Sequence, residues 1–275
     1  MTYATLMVNL ALGQSNDDLL QFACDLAQRF SAHLIGIAAS RPVPLMTVDG
    51  YADAGFYEEI LQELDAEVAR AEADFRGVAQ GRVKAIEWRA TTSVGGLPDF
   101  LSQEARSADL LIKSTVGGDR LDMTRAVGTG DLLMRLGRPV LLVPPGMRAL
   151  RLDRVLVAWK DSREARRAVV DALPLLRLAR EVQVLEVADP QELPLARGRV
   201  EDVVAWLGRH GIQATAAASA ASGDHVAVLS ASATQWGADL IVAGAYGHNR
   251  LREWVLGGVT RELLLKSERC TLLSH

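Results

Sequence analysis

The sequence repeats itself, and this internal duplication constrains the fold more than any single motif. The segment 107–112 (SADLLI) recurs as 237–242 (GADLIV). The ends of the two halves also match, since 132–135 (LLMR) and 139–142 (PVLL) correspond to 263–266 (LLLK) and 270–273 (CTLL). Such spacing indicates two copies of one structural unit. The first copy carries a longer loop at 41–57, where the second has only 189–192.

Within each copy, short apolar runs alternate with helix-period segments. We predict strands near 4–10, 33–39, 83–89, 109–114, 139–143, 154–159, 182–188, 213–219, 238–244 and 269–273. Helices are predicted at 16–30, 57–76, 95–107, 127–136, 162–178, 191–209, 224–236 and 256–266. Alternating strands and helices with buried strands predict an α/β fold with a doubly wound parallel sheet in each copy. The predicted domains are 1–146 and 151–275, joined by a Pro-Pro-Gly linker.

The composition and net charge of the chain argue against several classes of partner. Of 275 residues 49% are apolar, and 30 Lys and Arg nearly balance 34 Asp and Glu, for a net charge of −4. No overall positive field therefore favours nucleic acid or acidic lipid as a partner. No apolar run approaches the ~18 residues of a membrane span, so we expect a soluble, cytoplasmic chain. We interpret the two cysteines, Cys24 and Cys270, as packing residues.

The loop after the strand at 238–244 has the clearest functional pattern. Gly244 and Gly247 follow the strand directly, and Gly257 and Gly258 precede a predicted helix. Glycine allows the backbone to approach a ligand, and a helix N-terminus favours phosphate. In a doubly wound sheet this loop lies where the strand order reverses, which is the usual place for a ligand.

The Gly-x2-Gly-x9-Gly spacing, between an Ala-Asp-Leu-Ile-Val strand and a final helix and strand, resembles the universal stress protein family. The whole chain resembles the tandem form of that family. The resemblance implies five parallel strands per domain in the order 3-2-1-4-5. It also implies that the domains pair through their last strands, 139–143 and 269–273, and act in the stress response. Some members bind ATP, so ATP, ADP or AMP is the implied ligand, with no required cofactor.

Residue by residue, the second half matches the family's nucleotide motif at Gly244, Gly247 and Gly257. Gly258 stands at the Ser/Thr position, and Lys160 stands where the family has an aspartate at the end of the first strand. The predicted nucleotide-binding residues are the motif glycines as backbone donors, the cations, and two neighbouring polar residues: Gly244, Gly247, Gly257, Gly258, Lys160, Arg250, Asp161 and His248.

The first half departs further from the motif. Its loop contains Gly117, and Gly128-Thr129 keeps a glycine–hydroxyl pair, but the spacing between them is one residue longer and Ala11 occupies the aspartate position. We therefore predict a degenerate first site at Gly117, Gly128 and Thr129.

Each candidate has a structural alternative. The glycines also suit tight turns and close helix–strand packing, and Lys160, Arg250 and His248 also suit a solvated loop. No nucleophile elbow, P-loop or paired catalytic carboxylates appear, and no histidines have metal-ligand spacing, so we predict no catalytic residues and no metal. Two alternative functions remain open: a nucleotide-free interaction module, and a slow phosphohydrolase using Asp161 or His248. Further homodimerisation is also open.

Overall fold

The computed structural model describes residues 2–42, 54–92, 96–115, 128–245 and 268–275. These residues form two compact units. The N-terminal unit comprises Tyr3–Arg138 and Pro145–Ala149, and the C-terminal unit comprises mainly Pro139–Pro144 and Leu150–His275. The short stretch Pro139–Pro144 belongs to the C-terminal unit because the strand within it pairs there. The predicted domain boundaries, 1–146 and 151–275, stay predictions.

The N-terminal unit is a parallel sheet with the strand order β3-β2-β1-β4. Its strands are β1 (Thr5–Asn9), β2 (His33–Ser40), β3 (Ile86–Thr92) and β4 (Leu110–Ser114). Its helices are α1 (Asp17–Phe30), α2 (Ala54–Ala79), α3 (Leu97–Glu104) and α4 (Thr129–Leu136), with a 3₁₀ turn at Ala105–Ser107. Helix α1 contacts α2 and α3 contacts α4. This follows from right-handed crossovers, because the chain moves outward from β1 to β3 and then returns to β4.

The C-terminal unit begins with β5 (Val140–Val143) and has the strand order β5-β10-β9-β6-β7-β8. Its other strands are β6 (Arg154–Trp159), β7 (Glu181–Ala188), β8 (Ala214–Ala220), β9 (Leu240–Gly244) and β10 (Cys270–Ser274). Its helices are α5 (Arg163–Leu176), α6 (Leu193–Arg209) and α7 (His225–Trp236). All neighbours are parallel except β5 and β10, which pair antiparallel with Leu141 opposite Leu272. The α/β fold, the strand order and the pairing of the two last strands are thus confirmed.

The central strands are buried, as the sequence predicts for strands that are covered on both faces of the sheet. Central strands β4, β5 and β9 are buried along almost their whole length. Cys24 and Cys270 are both fully buried, so the packing role of both cysteines is confirmed.

Asp224 caps α7 through Oδ1, which accepts from the backbone N–H groups of Val226 and Ala227 at 3.0 Å.

One strand starts later than the sequence suggests. We predict β3 at 83–89, and it spans Ile86–Thr92. The N–H of Val83 donates to the carbonyl of Ala79 at 3.0 Å, and the N–H of Arg82 donates to the same carbonyl at 3.1 Å. Residues 80–83 therefore complete the C-terminal turn of α2 and are not available to the sheet.

Candidate ligand site

The strand order of the C-terminal unit reverses between β6 and β9, whose carboxyl ends form one edge of the sheet. Lys160 and Asp161 directly follow β6, and Gly244 is the last residue of β9. Since the carboxyl ends of parallel strands meet at the same edge, the structure brings these three predicted residues together. The crevice outside this edge is where doubly wound sheets place ligands.

The loop between β6 and α5 is short and open to solvent. Lys160 and Asp161 are exposed, and the N–H of Ser162 donates to the carbonyl of Lys160 at 2.7 Å. Ser162 is also the N-cap of α5, where its Oγ accepts from the backbone N–H of Ala165 at 3.2 Å. Asp161 forms an ion pair with Arg166 on the first turn of α5. This arrangement leaves the Lys160 ammonium as an exposed positive charge beside the N-terminus of α5.

Gly244 has a structural reason to be glycine that does not depend on a ligand. A Cβ placed there would lie 2.5 Å from the backbone N of Ala165 and 2.6 Å from the backbone C of Glu164. The first turn of α5 therefore packs directly on the end of β9. The structural alternative for this glycine holds, while its role toward a nucleotide stays a prediction.

An ion pair between a buried carboxylate and a partly exposed guanidinium lies next to this loop, and sequence reasoning missed it. Glu186 in β7 is 4% exposed, and Arg199 in α6 donates Nε to Oε1 and Oε2 at 3.1 and 3.0 Å and Nη2 to Oε1. The hydrogen bond to Glu186 raises the pKa of Arg199. Glu186 is opposite Trp159, the last residue of β6, so both side chains lie on the same face of the sheet. The signal in the sequence was a glutamate within the apolar run 184–188 (VLEVA) at the end of the strand.

Trp159 adds an indole to the same edge. Its Nε1 is buried and has no hydrogen-bond partner among the described residues. Val157 is opposite Val242, so Trp159 and Gly244, two residues further along, share a face of the sheet. On this face of the sheet, the aromatic side chain of Trp159 and the charged side chain of Glu186 therefore lie near the predicted site, together with Gly244.

In the N-terminal unit, the corresponding loop after β1 is held by hydrogen bonds to one side chain. The buried side chain of Asn16 accepts from the N–H of Ala11 at 3.0 Å and donates to the carbonyls of Ala11 and Gln14 at 2.9 and 3.2 Å. Ala11, the residue at the family's aspartate position, therefore has both backbone groups bonded to one side chain. Nothing in the sequence alone distinguished Asn16 from an ordinary helix cap, and its side chain caps no helix.

Two predicted residues of the first site are described. Gly128 is the N-cap of α4, and Thr129, the first residue of that helix, is 7% exposed. Lys113, which sequence reasoning also missed, is 7% exposed near the carboxyl end of β4, opposite Asn9 of β1. The remaining predicted residues lie outside the described part of the chain: Gly117, Gly247, His248, Arg250, Gly257 and Gly258, together with the predicted helix 256–266 and most of the loop 41–57.

The described ranges contain no group of three or more His, Cys, Asp and Glu side chains that could hold a metal ion. Over the same ranges, none of the helices combines the length and the apolar character that a membrane crossing requires.

One protein family model matches part of the chain. Residues 151–273 match the universal stress protein family model, so this part of the chain contains one universal stress protein domain. No curated protein matches the sequence.

Solved structures share the fold over almost the whole chain. A universal stress protein from Archaeoglobus fulgidus aligns with a TM-score of 0.72 at 13% identity, covering 98% of both chains. A functionally uncharacterised protein from Pseudomonas aeruginosa aligns with a TM-score of 0.60 at 16% identity, covering 99% of this chain and 92% of the other. At such low identity the similarity concerns the fold alone.

Proposed function

We propose that the chain is a tandem universal stress protein whose C-terminal unit binds an adenine nucleotide at the carboxyl edge of its sheet. Binding would bias a surface toward a partner in the stress response, and the bound nucleotide would not be turned over. The observation that carries the proposal is the open loop after β6, which presents Lys160 at the point where the strand order reverses.

The tandem arrangement is supported by features that recur in both units. The order β3-β2-β1-β4 in the N-terminal unit corresponds to β8-β7-β6-β9 in the C-terminal unit. Asp109 and Asp239, which occupy equivalent places in the repeat, make the same backbone hydrogen bonds at the start of β1 and β6. The fold similarity to a universal stress protein of comparable length supports the same proposal.

A nucleotide site in the C-terminal unit alone is supported by the difference between the two first loops. In the loop after β1, the side chain of Asn16 forms hydrogen bonds with both the N–H and the carbonyl of Ala11. In the loop after β6, by contrast, Lys160 and Asp161 are exposed. A lysine at this place suits a phosphate as a point charge, and the N-terminus of α5 adds a positive partial charge. The glycines and Arg250 of the segment 246–258 would supply further donors to the same anion.

Binding without turnover is supported by the chemistry of the described loop. The Asp161 carboxylate, one of the two residues that a slow phosphohydrolase would use here, is paired with Arg166. The pair already occupies the carboxylate that would have to accept a proton from an attacking water.

Calorimetric titration of ATP, ADP and AMP into the purified chain tests the proposal. We expect saturable binding of at least one nucleotide, weakened about tenfold or more by Lys160→Glu, which corresponds to about 1.4 kcal/mol. Lys84→Glu is the matched control, since Lys84 is also exposed but lies in the turn before β3. Absence of heat with all three nucleotides, or equal affinity in both variants, would refute the proposed site.

A nucleotide-free interaction module is the second candidate, and Gly244 favours it. The glycine that begins the motif is explained by the packing of α5, and the family's ribose-binding carboxylate is absent at Lys160. Native mass spectrometry separates the two candidates: nucleotide retained through purification supports the first, and a bare chain that also gives no heat supports the second.

A further inference from the structure

Strand β8 ends the sheet of the C-terminal unit, so half of its backbone groups face away from β7. The N–H of Ala221 donates to the carbonyl of Ala188 on the β7 side at 2.9 Å. Because backbone direction alternates along a strand, the N–H and C=O groups of Ala216 and Ala218 point outward. Unpaired groups of this kind are a template for another strand.

This edge lacks the features that usually prevent strand addition. The seven residues Ala214–Ala220 (ATAAASA) include no charge and no proline, and Thr215, Ala216 and Ala220 are exposed. At the edge of the N-terminal unit, by contrast, β3 carries Glu87 and Arg89. Charges on an edge strand oppose pairing with a second sheet, so the two edges differ in the property that governs association.

The loops on either side of β8 carry opposite charges. At its amino end lie Arg177, Arg180 and Arg209, all exposed, and Arg177 Nε contacts the carbonyl of His210 at 3.5 Å. This contact joins the loop before β7 to the loop before β8. Glu181, the first residue of β7, pairs with Arg154 at 3.5 Å, so the three exposed arginines leave a positive charge at the amino end of β8.

The carboxyl end of β7 and β8 is acidic. Asp189, Glu192 and Asp224 are all exposed there. The side chain of His225 joins the two loops, with Nε2 3.5 Å from Oδ1 of Asp189 and Nδ1 2.9 Å from the carbonyl of Gly223. This histidine therefore links the two acidic loops at this end of the edge strand.

We infer that a second copy of this chain docks on β8, with the two β8 strands paired antiparallel about a two-fold axis near Ala217. In that arrangement the basic amino end of each strand faces the acidic carboxyl end of the other, and Arg209 comes close to the partner's Asp189 and Asp224. Parallel association would place arginines against arginines. A two-fold interface places the same surface of both copies together, and an uncharged strand meets no like charge in that pairing.

A charge swap tests this arrangement without disturbing the strand. Sedimentation velocity at about 1 to about 100 μM should show a monomer–dimer equilibrium for the 29.7 kDa chain that weakens as salt rises. Arg209→Glu and Asp189→Arg should each raise the dimer dissociation constant about tenfold or more, and the double variant should restore most of the association. Arg106→Glu, an exposed arginine of the N-terminal unit, is the matched control and should have no effect.

Ala216→Pro tests the strand pairing itself, because it removes an outward N–H without removing a hydrogen bond to β7. Circular dichroism checks that this variant folds, and it should be monomeric over the same range. A monomer at every concentration in the parent chain would overturn the inference. So would a dimer that survives both Ala216→Pro and the single charge reversals, which would place the interface elsewhere or indicate capture of a different extended segment.

Discussion

The carboxylate of Asp239 accepts a hydrogen bond from the backbone N–H of Arg154, with Oδ2 2.9 Å from N, and the Asp239 N–H donates to the Arg154 carbonyl at 2.8 Å. The N-terminal unit contains the same arrangement. There Oδ2 of Asp109 accepts from the N–H groups of Ala4 and Thr5 at 2.7 and 2.9 Å, and the Asp109 N–H donates to the Thr5 carbonyl at 2.9 Å. In each unit one aspartate joins the start of the fourth strand to the start of the first.

Replacing either aspartate should destabilise its unit. We expect Asp239→Ala to lower the free energy of unfolding by about 1–2 kcal/mol, and Asp109→Ala to lower it more, because Asp109 serves two N–H groups. Urea denaturation followed by circular dichroism measures both. Glu72→Ala is the control, since Glu72 forms a solvent-exposed pair with Arg76 and such pairs contribute little. Equal losses in all three variants would contradict a specific role for the aspartates.

A methyl group at Gly244 should be poorly tolerated. We expect Gly244→Ala to lower the free energy of unfolding by about 1–3 kcal/mol, because its Cβ would overlap the backbone at Glu164 and Ala165. The matched control is Gly198→Ala in the middle of α6, where an added Cβ meets no atom within 4 Å. That change should stabilise the chain by about 0.5–1 kcal/mol through helix propensity. Thermal melts of the two variants should therefore shift in opposite directions.

Asn16 should be needed to hold the loop after β1. We expect Asn16→Ala to cost about 2–3 kcal/mol, because it leaves the N–H of Ala11 and two carbonyls without their partner. Asn16→Asp keeps the acceptor but places a carboxylate against the carbonyls of Ala11 and Gln14, so it should not rescue stability. Hydrogen exchange at the Ala11 amide gives a local readout. Full rescue by aspartate would show that the donated hydrogen bonds contribute nothing.

The strand order and the pairing of β5 with β10 were expected from the resemblance to the universal stress protein family, whereas the α/β class followed from the alternation of strand and helix segments in the repeat. The sequence also placed the β6 strand at its observed bounds, since these depend on neighbours a few residues away. The candidate site could be predicted only as far as its position at the carboxyl edge of β6 and β9.

The missed residues depend on partners distant in the sequence. The pair of Glu186 and Arg199 joins a strand to the following helix, and no local pattern marks which arginine of α6 turns inward. The role of Asn16 depends on a loop folding back on itself, and a cap-type residue before a helix is common in either case. The close contact between Gly244 and the first turn of α5 likewise depends on tertiary packing. In the sequence, a glycine required for packing looks the same as a glycine of a binding motif.

The pair of Glu186 and Arg199 should be strongly coupled. We expect Arg199→Met to lower the free energy of unfolding by about 2–3 kcal/mol, because it leaves a buried carboxylate without its cation. The double variant Glu186→Leu with Arg199→Met should recover most of that loss, since replacing both charges by apolar groups is often neutral. A double-mutant cycle in urea measures the coupling, and additive effects would show that the pair does not act as one unit.

The two thiols should be unreactive in the native chain. Burial raises the pKa of Cys24, and it raises the pKa of Cys270 to about 12, with Asp239 adding to the shift. Since the thiolate is the reactive form, labelling with a disulfide reagent at about pH 8 should be slow in buffer and fast for both cysteines in urea. Rapid labelling of one equivalent in the native protein would contradict this.

The raised pKa of Cys270 also links stability to pH. An unfolded thiol has a pKa of about 8.5, so the stability that the neutral thiol contributes is present below that pH and is lost as pH rises toward about 12. The unfolded state then releases a proton that the folded state retains. We expect the stability advantage of the parent chain over Cys270→Ala to shrink between about pH 9 and about pH 11, by up to about 1.4 kcal/mol per pH unit. Urea titrations of both proteins across that range measure it, and a constant difference would mean that Cys270 titrates as freely in the folded chain as in the unfolded one.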